Sequence, residues 1–268
     1  MSGGKGMRLP KWFDAIRNYG EFRENRRIDR LRGMRRYTAG TIRVMGWDLA
    51  YLDGQSLWSS IDIILKKGYN DFPCTADQPI ILDCGANIGI SVLNYKRKHP
   101  EAKIVAFEPD PAVFPTLKGN LSRNGINDVE LVQAAVWVRK GQVSFFLEGA
   151  DGSRILPEGN GKESVRVDSI DLADYITGPV DLIKMDIEGA EFDVIPSIKG
   201  RLHLVKNLVV ECHLDHGMVE RFSSMLSVLA GSGFRLSVNS FGQWVDLVHR
   251  PMKNPNEFDQ YLLVAGWR

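Results

Sequence analysis

Four carboxylates lie within the stretch KMDIEGAEFD, residues 184–193, directly behind the apolar run VDLI. Acidic residues are favoured in the first turn of a helix by about 0.3–1 kcal/mol each, which gives one explanation of the cluster. The other explanation is functional, because open α/β sheets bind ligands at the ends of their strands. We assign Glu191 and Asp193 to the first explanation, since they lie further into the predicted helix, and Asp186 and Glu188 to the second.

A glycine-containing turn, DCGANIG, ends another apolar run at residues 83–89. Glycine lets a ligand approach the backbone closely, and the helix that follows offers unpaired N–H groups. One strand later Glu108 ends the run IVAFE, where its carboxylate is placed to accept both hydroxyls of a ribose. A nicotinamide dinucleotide normally requires G-x-G-x-x-G, which G-A-N-I-G does not match. Asp83, two residues before the first glycine, suits a cofactor with a cationic amino-acid moiety, such as S-adenosylmethionine (SAM).

Apolar runs of strand length alternate with helical patterns in the second part of the chain, at residues 80–85, 103–110, 129–136, 180–186 and 207–214. This alternation indicates an α/β fold with a doubly wound, mostly parallel sheet. The segment 138–178 is β-rich and interrupts the alternation. Ahead of the glycine turn, the patterns predict a basic helix at 14–37, a strand or hairpin at 41–53, and a helix capped by Ser56.

Three motifs, ILDCGANIGIS, AFEPDP and IKMDIEGAEFDVI, together resemble the FkbM-type family of class I SAM-dependent methyltransferases. The similarity covers roughly residues 50–268. It implies a Rossmann-like sheet of seven strands with an antiparallel last strand, in a methyltransferase domain at residues 79–268. Residues 1–78 then form an N-terminal extension that contains the basic helix, the hairpin and a further helix.

The resemblance also implies SAM as the methyl donor and, commonly, a hydroxyl of a sugar, glycan or natural product as the acceptor. The cofactor contacts are carried over by position along the motifs. They are Gly85, Ala86, Asn87 and Gly89 at the methionine end, Glu108 with the adjoining Pro109 at the ribose, and Ala134 and Ala135 at the adenine.

A second polar pair, Glu211 and His213, ends the run VVECHL. Glu211 and His213 are two residues apart, so their side chains share one face of a strand. The ends of neighbouring strands in such a sheet converge on one crevice, which would bring this pair close to Asp186. We predict that His213 is the general base, with Asp186 or Glu188 orienting it or the acceptor hydroxyl; such a base contributes roughly 10²–10⁴-fold to rate. Asp186, Glu211 and His213 could instead hold a hard divalent cation such as Mg²⁺ that lowers the pKa of the hydroxyl.

The composition is that of a globular protein, but the charge is unevenly distributed. Of 268 residues 44% are hydrophobic and 25% charged, and residues 1–40 carry eleven Lys/Arg against four acids, within a net charge of +1 for the chain. We predict that this basic segment folds over the cleft or its edge and helps admit an anionic acceptor; a solvated helix beside the sheet, or contact with a membrane surface, are the alternatives.

No apolar stretch approaches the roughly 18 residues of a membrane span, and the start has no secretory h-region. The three cysteines form no CxxC pair, so we expect a reduced, cytoplasmic protein without a structural metal.

Three other functions are alternatives to an O-methyltransferase with a small-molecule or saccharide acceptor. A nucleic-acid methyltransferase fits the basic N-terminus, but the acidic segment DIEGAE occupies the place of the usual Asn/Asp-Pro-Pro-aromatic motif and would repel phosphate. A catalytically silent nucleoside-binding protein is expected to have a degraded glycine turn or no acid at position 108, and this chain has neither defect. A nicotinamide oxidoreductase is disfavoured by the glycine spacing.

Overall fold

Helices and strands alternate along most of the computed structural model, which describes residues 23–149, 152–156, 164–214, 218–241 and 260–268. The described strands are β1 (Gly40–Val44), β2 (Trp47–Tyr51), β3 (Ile80–Cys84), β4 (Lys103–Phe107), β5 (Val129–Val132), β6 (Ala135–Trp137), β7 (Gly141–Phe146), β8 (Arg154–Ile155), β9 (Val165–Asp171), β10 (Val180–Met185), β11 (Val205–Leu214), β12 (Arg235–Phe241) and β13 (Gln260–Trp267). The described helices are α1 (residues 23–32), α2 (Gly54–Ser60), α3 (Ile90–Lys98), α4 (Phe114–Arg123), α5 (Glu191–Ser197) and α6 (Val219–Gly231). A π-helical segment, Ile61–Lys66, continues α2, and 3-10 helices span Leu172–Tyr175 and Lys199–Leu204.

Seven strands form the main sheet, in the order β12-β13-β11-β10-β3-β4-β5. The strands β3, β4, β5, β10 and β11 run parallel to one another, and β13 is antiparallel to both of its neighbours. This topology confirms the predicted doubly wound α/β sheet with an antiparallel last strand. Every residue of β10 is buried, as expected for a central parallel strand covered on both faces.

Successive residues of the central strands supply two different apolar cores, one on each face of the sheet. Leu182 and Val209 belong to the core that also contains residues of α3 and of the N-terminal extension. Their neighbours Ile183 and Val210 belong to the core that contains residues of α5 and α6. Because side chains alternate along a strand, burial on both sides explains why these strands read as continuous apolar runs. Within the described residues, no helix is both long and apolar enough to cross a bilayer.

The β-rich segment forms a second sheet of four strands, in the order β6-β9-β7-β8. The sequence predicted one strand over 129–136, but β5 ends at Val132 and β6 pairs with β9 instead of β4. A tight turn separates the two strands, since the N–H of Ala134 donates to the carbonyl of Val132 at 3.0 Å. The turn brings Ala134 and Ala135 to the carboxyl edge of the main sheet.

The N-terminal extension contains the predicted helix and hairpin. Helix α1 ends at residue 32, five residues before the predicted end, and the predicted stretch 14–22 lies outside the described residues. The hairpin β1–β2 turns at Met45 and Gly46, which both have positive φ, as a two-residue type I′ turn requires.

The next helix begins earlier than predicted, because its N-cap is Asp53 and not Ser56. The Asp53 carboxylate accepts the N–H of Ser56 at 2.8 Å, which is the usual capping bond. The π-helical continuation was not predicted. Such segments are rare and occur frequently at functional sites.

Candidate active site

A cavity of about 670 Å³ opens at the carboxyl ends of the parallel strands, within the range of roughly 300–1,000 Å³ typical of small-molecule sites. Its walls come from the glycine turn after β3, the end of β4, the turn before β6 and the ends of β10 and β11. The π-helical segment and the α2 serines close it on the side of the extension. This is the edge at which doubly wound sheets bind ligands.

The glycine turn is pressed against the loop that follows β10. Gly85 has φ 83°, and a Cβ there would lie 1.9 Å from the backbone oxygen of Asp186. Gly89 has φ 94° and faces α4, since a Cβ would lie 2.8 Å from Leu117 Cδ1. The first glycine therefore permits a close approach of two loops at the cavity, whereas the second permits helix packing.

The N–H groups of this turn already have acceptors within the protein. Those of Gly85 and Ala86 donate to the Phe107 carbonyl at 3.0 and 2.9 Å, and that of Asn87 donates to Glu108 Oε2 at 2.9 Å. The predicted unpaired N–H groups belong to the helix that follows, α3, which begins at Ile90. The turn instead offers a ligand a closely approachable backbone surface, formed by Gly85, Ala86 and Asn87.

Glu108 lies on the cavity wall with both carboxylate oxygens fixed. Oε2 accepts the N–H of Asn87, and Oε1 accepts the N–H of Asp110 at 2.9 Å. Burial raises the pKa of Glu108 to about 7, although the two backbone donors oppose the rise. Pro109, Ala134 and Ala135 complete this part of the wall.

Asp83 lies one layer below the wall, where it is fully buried. Its Oδ2 accepts the hydroxyl of Ser91, and its Oδ1 lies 3.4 Å from Lys184 Nζ. Ser91 and Lys184 themselves line the cavity. Asp83, which was predicted to contact the cofactor, does not itself line the cavity and is bonded to two side chains that do.

Lys184 is a site residue that sequence reasoning did not identify. Its ammonium group donates to the Gly85 carbonyl at 2.5 Å and lies 3.7 Å from Asp186 Oδ2. Burial opposes its charge, but the carboxylates of Asp83 and Asp186 outweigh burial and raise the pKa of Lys184. A single lysine in the apolar run VDLIKM was the available signal, because lysine is almost never buried without a partner.

The predicted catalytic residues meet around one nitrogen of His213, a side chain that is almost completely buried. His213 Nε2 lies 3.3 Å from Glu188 Oε1, and 3.9 Å from both Asp186 Oδ1 and Glu211 Oε1. One ligand atom each from Asp186, Glu211 and His213 lies within 4.8 Å of the others. The structure thus brings together all the residues predicted for catalysis and for the alternative cation site.

Burial and mutual charge shift the pKa values in this cluster. Burial opposes a charged imidazole, but the carboxylates of Glu188 and Glu191 raise the pKa of His213 well above its ordinary value. Burial raises the pKa of Glu188 to about 7 and that of Glu211 to about 8. The ring of His213 therefore holds its proton more tightly than an ordinary histidine, and the carboxylates of Glu188 and Glu211 are more basic than ordinary ones.

The two acids that were predicted to match the helix dipole have different surroundings, although both lie in the first turn of α5. Asp193 is partly exposed and pairs with Arg221 at 2.6 Å. Glu191 is completely buried, and its oxygens accept the N–H groups of Ile187 and Gly189, each at 2.8 Å. The helix dipole accounts for the position of Asp193 but not for the burial of Glu191.

The described part of the N-terminal extension borders the cleft. The lining residues that it contributes are Arg36, Ser56, Ser59, Ser60, Ile63, Ile64 and Asn70. Tyr37 donates its hydroxyl to Glu148 at 2.6 Å, and the Ser153 hydroxyl donates to Asp110 at 2.9 Å. The extension is thereby connected, through the β7–β8 region, to the loop that holds Glu108. Residues 1–22 of the predicted basic segment lie outside the described residues.

The fold and the arrangement of the cavity are those of a Rossmann-like class I methyltransferase. The chain belongs to the methyltransferase FkbM domain family, whose family model matches residues 83–236. The matched range includes the glycine turn, Glu108 and the whole carboxylate–histidine cluster, so the predicted resemblance is confirmed.

Three relatives agree with this membership. Methyltransferase 1 of Beauveria bassiana (strain ARSEF 2860) is 27% identical over 230 residues, which cover 76% of this chain and 87% of the relative. Methyltransferase sdnD of Sordaria araneosa is 31% identical over 185 residues, covering 55% of this chain and 71% of the relative. The 2-O-methyltransferase NoeI of Sinorhizobium fredii (strain NBRC 101917 / NGR234) is 28% identical over 156 residues, covering 50% of this chain and 63% of the relative. The chain is therefore a methyltransferase.

Proposed function

We propose that the protein transfers a methyl group from SAM to a hydroxyl of a sugar, glycan or natural-product acceptor. The observation that carries this proposal is that one cavity has Glu108, placed to accept ribose hydroxyls, on one side. On the other side it has His213 with the carboxylates that surround it. Membership of the FkbM family supports the cofactor, and the name of the 2-O-methyltransferase NoeI supports oxygen as the acceptor atom.

The cofactor would lie along the wall from the turn before β6 to the end of β10. Ala134, Ala135 and Pro109 would flank the adenine, and Glu108 would accept the ribose hydroxyls. The methionine end would rest on the close-approach surface at Gly85–Asn87. Its amino-acid group would lie beside Lys184 and Asp186, which offer one charge of each sign. The residues fit a cofactor of this shape and charge.

Bound SAM supplies a methyl group that its sulfonium charge activates for transfer. The protein then has to align the acceptor and remove the hydroxyl proton, and alignment is the larger contribution, up to about 7–11 kcal/mol. His213 and Glu188, 3.3 Å apart, would hold the acceptor oxygen in line. Because the raised pKa of His213 makes its ring hold a proton more tightly, Glu188, whose pKa of about 7 suits a general base at neutral pH, would accept the hydroxyl proton in place of the predicted base His213.

The charges of the cavity favour a neutral acceptor. Among the described lining residues, six are acidic (Glu108, Asp110, Glu148, Asp186, Glu188 and Glu211) and three are Lys or Arg (Arg36, Lys184 and Arg154). His213 also lines the cavity with a raised pKa, and burial raises the pKa of Glu108 and Glu188 to about 7 and that of Glu211 to about 8, so the lining has no large excess of either charge at neutral pH. A phosphate-bearing acceptor, including nucleic acid, would therefore find no strongly positive surface among these residues.

A divalent cation is the alternative way to activate the hydroxyl. The observation in its favour is the convergence of Asp186, Glu211 and His213 within 4.8 Å. Carboxylate oxygens are the ligands that Mg²⁺ prefers. Treatment with EDTA and re-addition of Mg²⁺ separates the two mechanisms. Lost and restored turnover supports the cation, and unchanged turnover supports the protein base.

Two measurements test the proposed function. Calorimetric titration with S-adenosylhomocysteine tests the cofactor, and we expect Glu108→Ala to weaken binding at least tenfold, because charge-assisted hydrogen bonds are worth about 1.5–3 kcal/mol each. Asp168→Ala, at an exposed position of β9 that does not line the cavity, serves as the control with unchanged affinity. Radiolabelled methyl transfer to a panel of hydroxylated acceptors tests the reaction. Binding of NADH without binding of S-adenosylhomocysteine would contradict the proposal, as would equal affinities of both variants.

A further inference from the structure

We propose that Glu191 is a positioning residue for the methyl transfer. It holds the loop 186–190, which carries Asp186 and Glu188, and it fixes the His213 ring from the side away from the cavity. This inference rests on the proposed function, because it assigns Glu191 a role in the same site. It replaces the reading of Glu191 as an acid that merely matches the helix dipole.

The loop needs a support because its backbone is unusual. Glu188 has φ 58° and Gly189 has φ 101°, both in the left-handed region, which a residue with a side chain as large as glutamate rarely adopts. Such conformations persist only where the surroundings determine them. Glu191 supplies that constraint, since its oxygens accept the N–H groups of Ile187 and Gly189, the residues on either side of Glu188.

The same carboxylate also faces the histidine. Glu191 Oε1 lies 3.7 Å from His213 Nδ1, and Glu188 Oε1 lies 3.3 Å from Nε2. The imidazole therefore lies between two carboxylates, one near each nitrogen. This placement sets the orientation of the ring and directs Nε2 towards the cavity, where Asp186 and Glu211 approach it.

The burial of Glu191 argues against a role in helix stability alone. A carboxylate gains from the helix dipole while it stays in water, whereas complete burial is costly unless its oxygens are satisfied. Asp193, two residues on, has the same charge in the same helical turn and remains partly exposed. The burial of Glu191 is explained by its three contacts in the loop and at the histidine.

The test compares Glu191→Gln with the matched control Asp193→Asn. Glutamine keeps the size of the side chain, but its NH₂ group faces a backbone N–H instead of accepting from it. Since a misplacement of about 1 Å can cost about 10²-fold in rate, we expect kcat of Glu191→Gln to fall about 10- to 100-fold. The KM for SAM and the affinity for S-adenosylhomocysteine should stay within twofold of wild type. Asp193→Asn should keep wild-type kcat.

A second measurement does not depend on the acceptor. Imidazole ¹⁵N NMR signals of His213, assigned by their loss in His213→Gln, should shift in Glu191→Gln and stay in place in Asp193→Asn. If Glu191→Gln does not fold, Glu191→Asp keeps the charge but is too short to reach both N–H groups, and it should show the same loss of kcat. Wild-type kcat and unmoved His213 signals in the Glu191 variant would overturn the inference. Absence of methyl transfer by the wild type would instead overturn the proposed function.

Discussion

The two halves of the cavity are built in different ways. The half proposed for the cofactor is made largely of backbone, because the N–H groups of Gly85 and Ala86 in the turn after β3 donate to the Phe107 carbonyl and that of Asn87 donates to Glu108. The half proposed for the acceptor is made of charged side chains from β10, the loop after it, β11 and α5, which meet only in the folded protein. The first half is therefore specified by short motifs, and the second by burial and mutual charge.

The largest effect is expected from His213→Gln, which removes the centre of the acceptor half. The variant should lose about 10²-fold in kcat, because the acceptor oxygen loses the ring that would hold it in line and a misplacement of about 1 Å can cost that much. The affinity for S-adenosylhomocysteine should change little, because the cofactor half is separate. Steady-state kinetics and calorimetry on the same preparation check both statements. Parallel losses in kcat and in affinity would show that the two halves are not independent.

Lys184→Met tests how strongly buried charge supports the acceptor half. Removing one partner of a buried ion pair typically costs about 3–5 kcal/mol, and the variant leaves Asp83 and Asp186 without their cation. Lys206→Met is the matched control, since Lys206 pairs with Asp181 at 2.7 Å but is half exposed. A surface pair of that kind contributes about 0–1 kcal/mol. Urea unfolding of both variants measures the difference, and equal losses would contradict the assigned role of Lys184.

A smaller effect is expected from the titration of Glu108, because burial raises its pKa to about 7. An ionised carboxylate accepts both ribose hydroxyls, and below its pKa the group is protonated and accepts fewer hydrogen bonds. Affinity for S-adenosylhomocysteine should therefore fall as the pH drops from 8 to 6, by up to about tenfold. Glu108→Gln should lack this part of the pH dependence. Identical pH profiles of wild type and variant would exclude Glu108 as the titrating group.

The sequence predicted that the residues proposed for the cofactor meet at one place, because their determinants are local. The positions of Gly85, Asn87 and Glu108 follow from two strand ends and one turn, and all three line the cavity. The parallel strands were predicted for a similar reason, since buried parallel strands read as apolar runs, whereas the number of seven strands came from the family resemblance. The turn at Ala134 that moves β6 into a second sheet depends on tertiary pairing and was not predicted.

The acceptor half was predicted only in part. Asp186, Glu188, Glu211 and His213 were chosen because they end neighbouring strands, and the structure brings them together. The separate roles of Glu191 and Asp193 could not be read from spacing, because both occupy the same helical turn. Their difference is one of burial, which the pattern of a single short helix does not fix.

The most direct test of the account is a crystal structure of the protein with bound S-adenosylhomocysteine. The account predicts the adenine against Ala134 and Ala135, the ribose hydroxyls on Glu108, and the sulfur directed towards Asp186 and His213. A nucleoside bound elsewhere, or a sulfur directed away from the carboxylate–histidine cluster, would contradict the central claim that the two halves of this cavity form one methyl-transfer site.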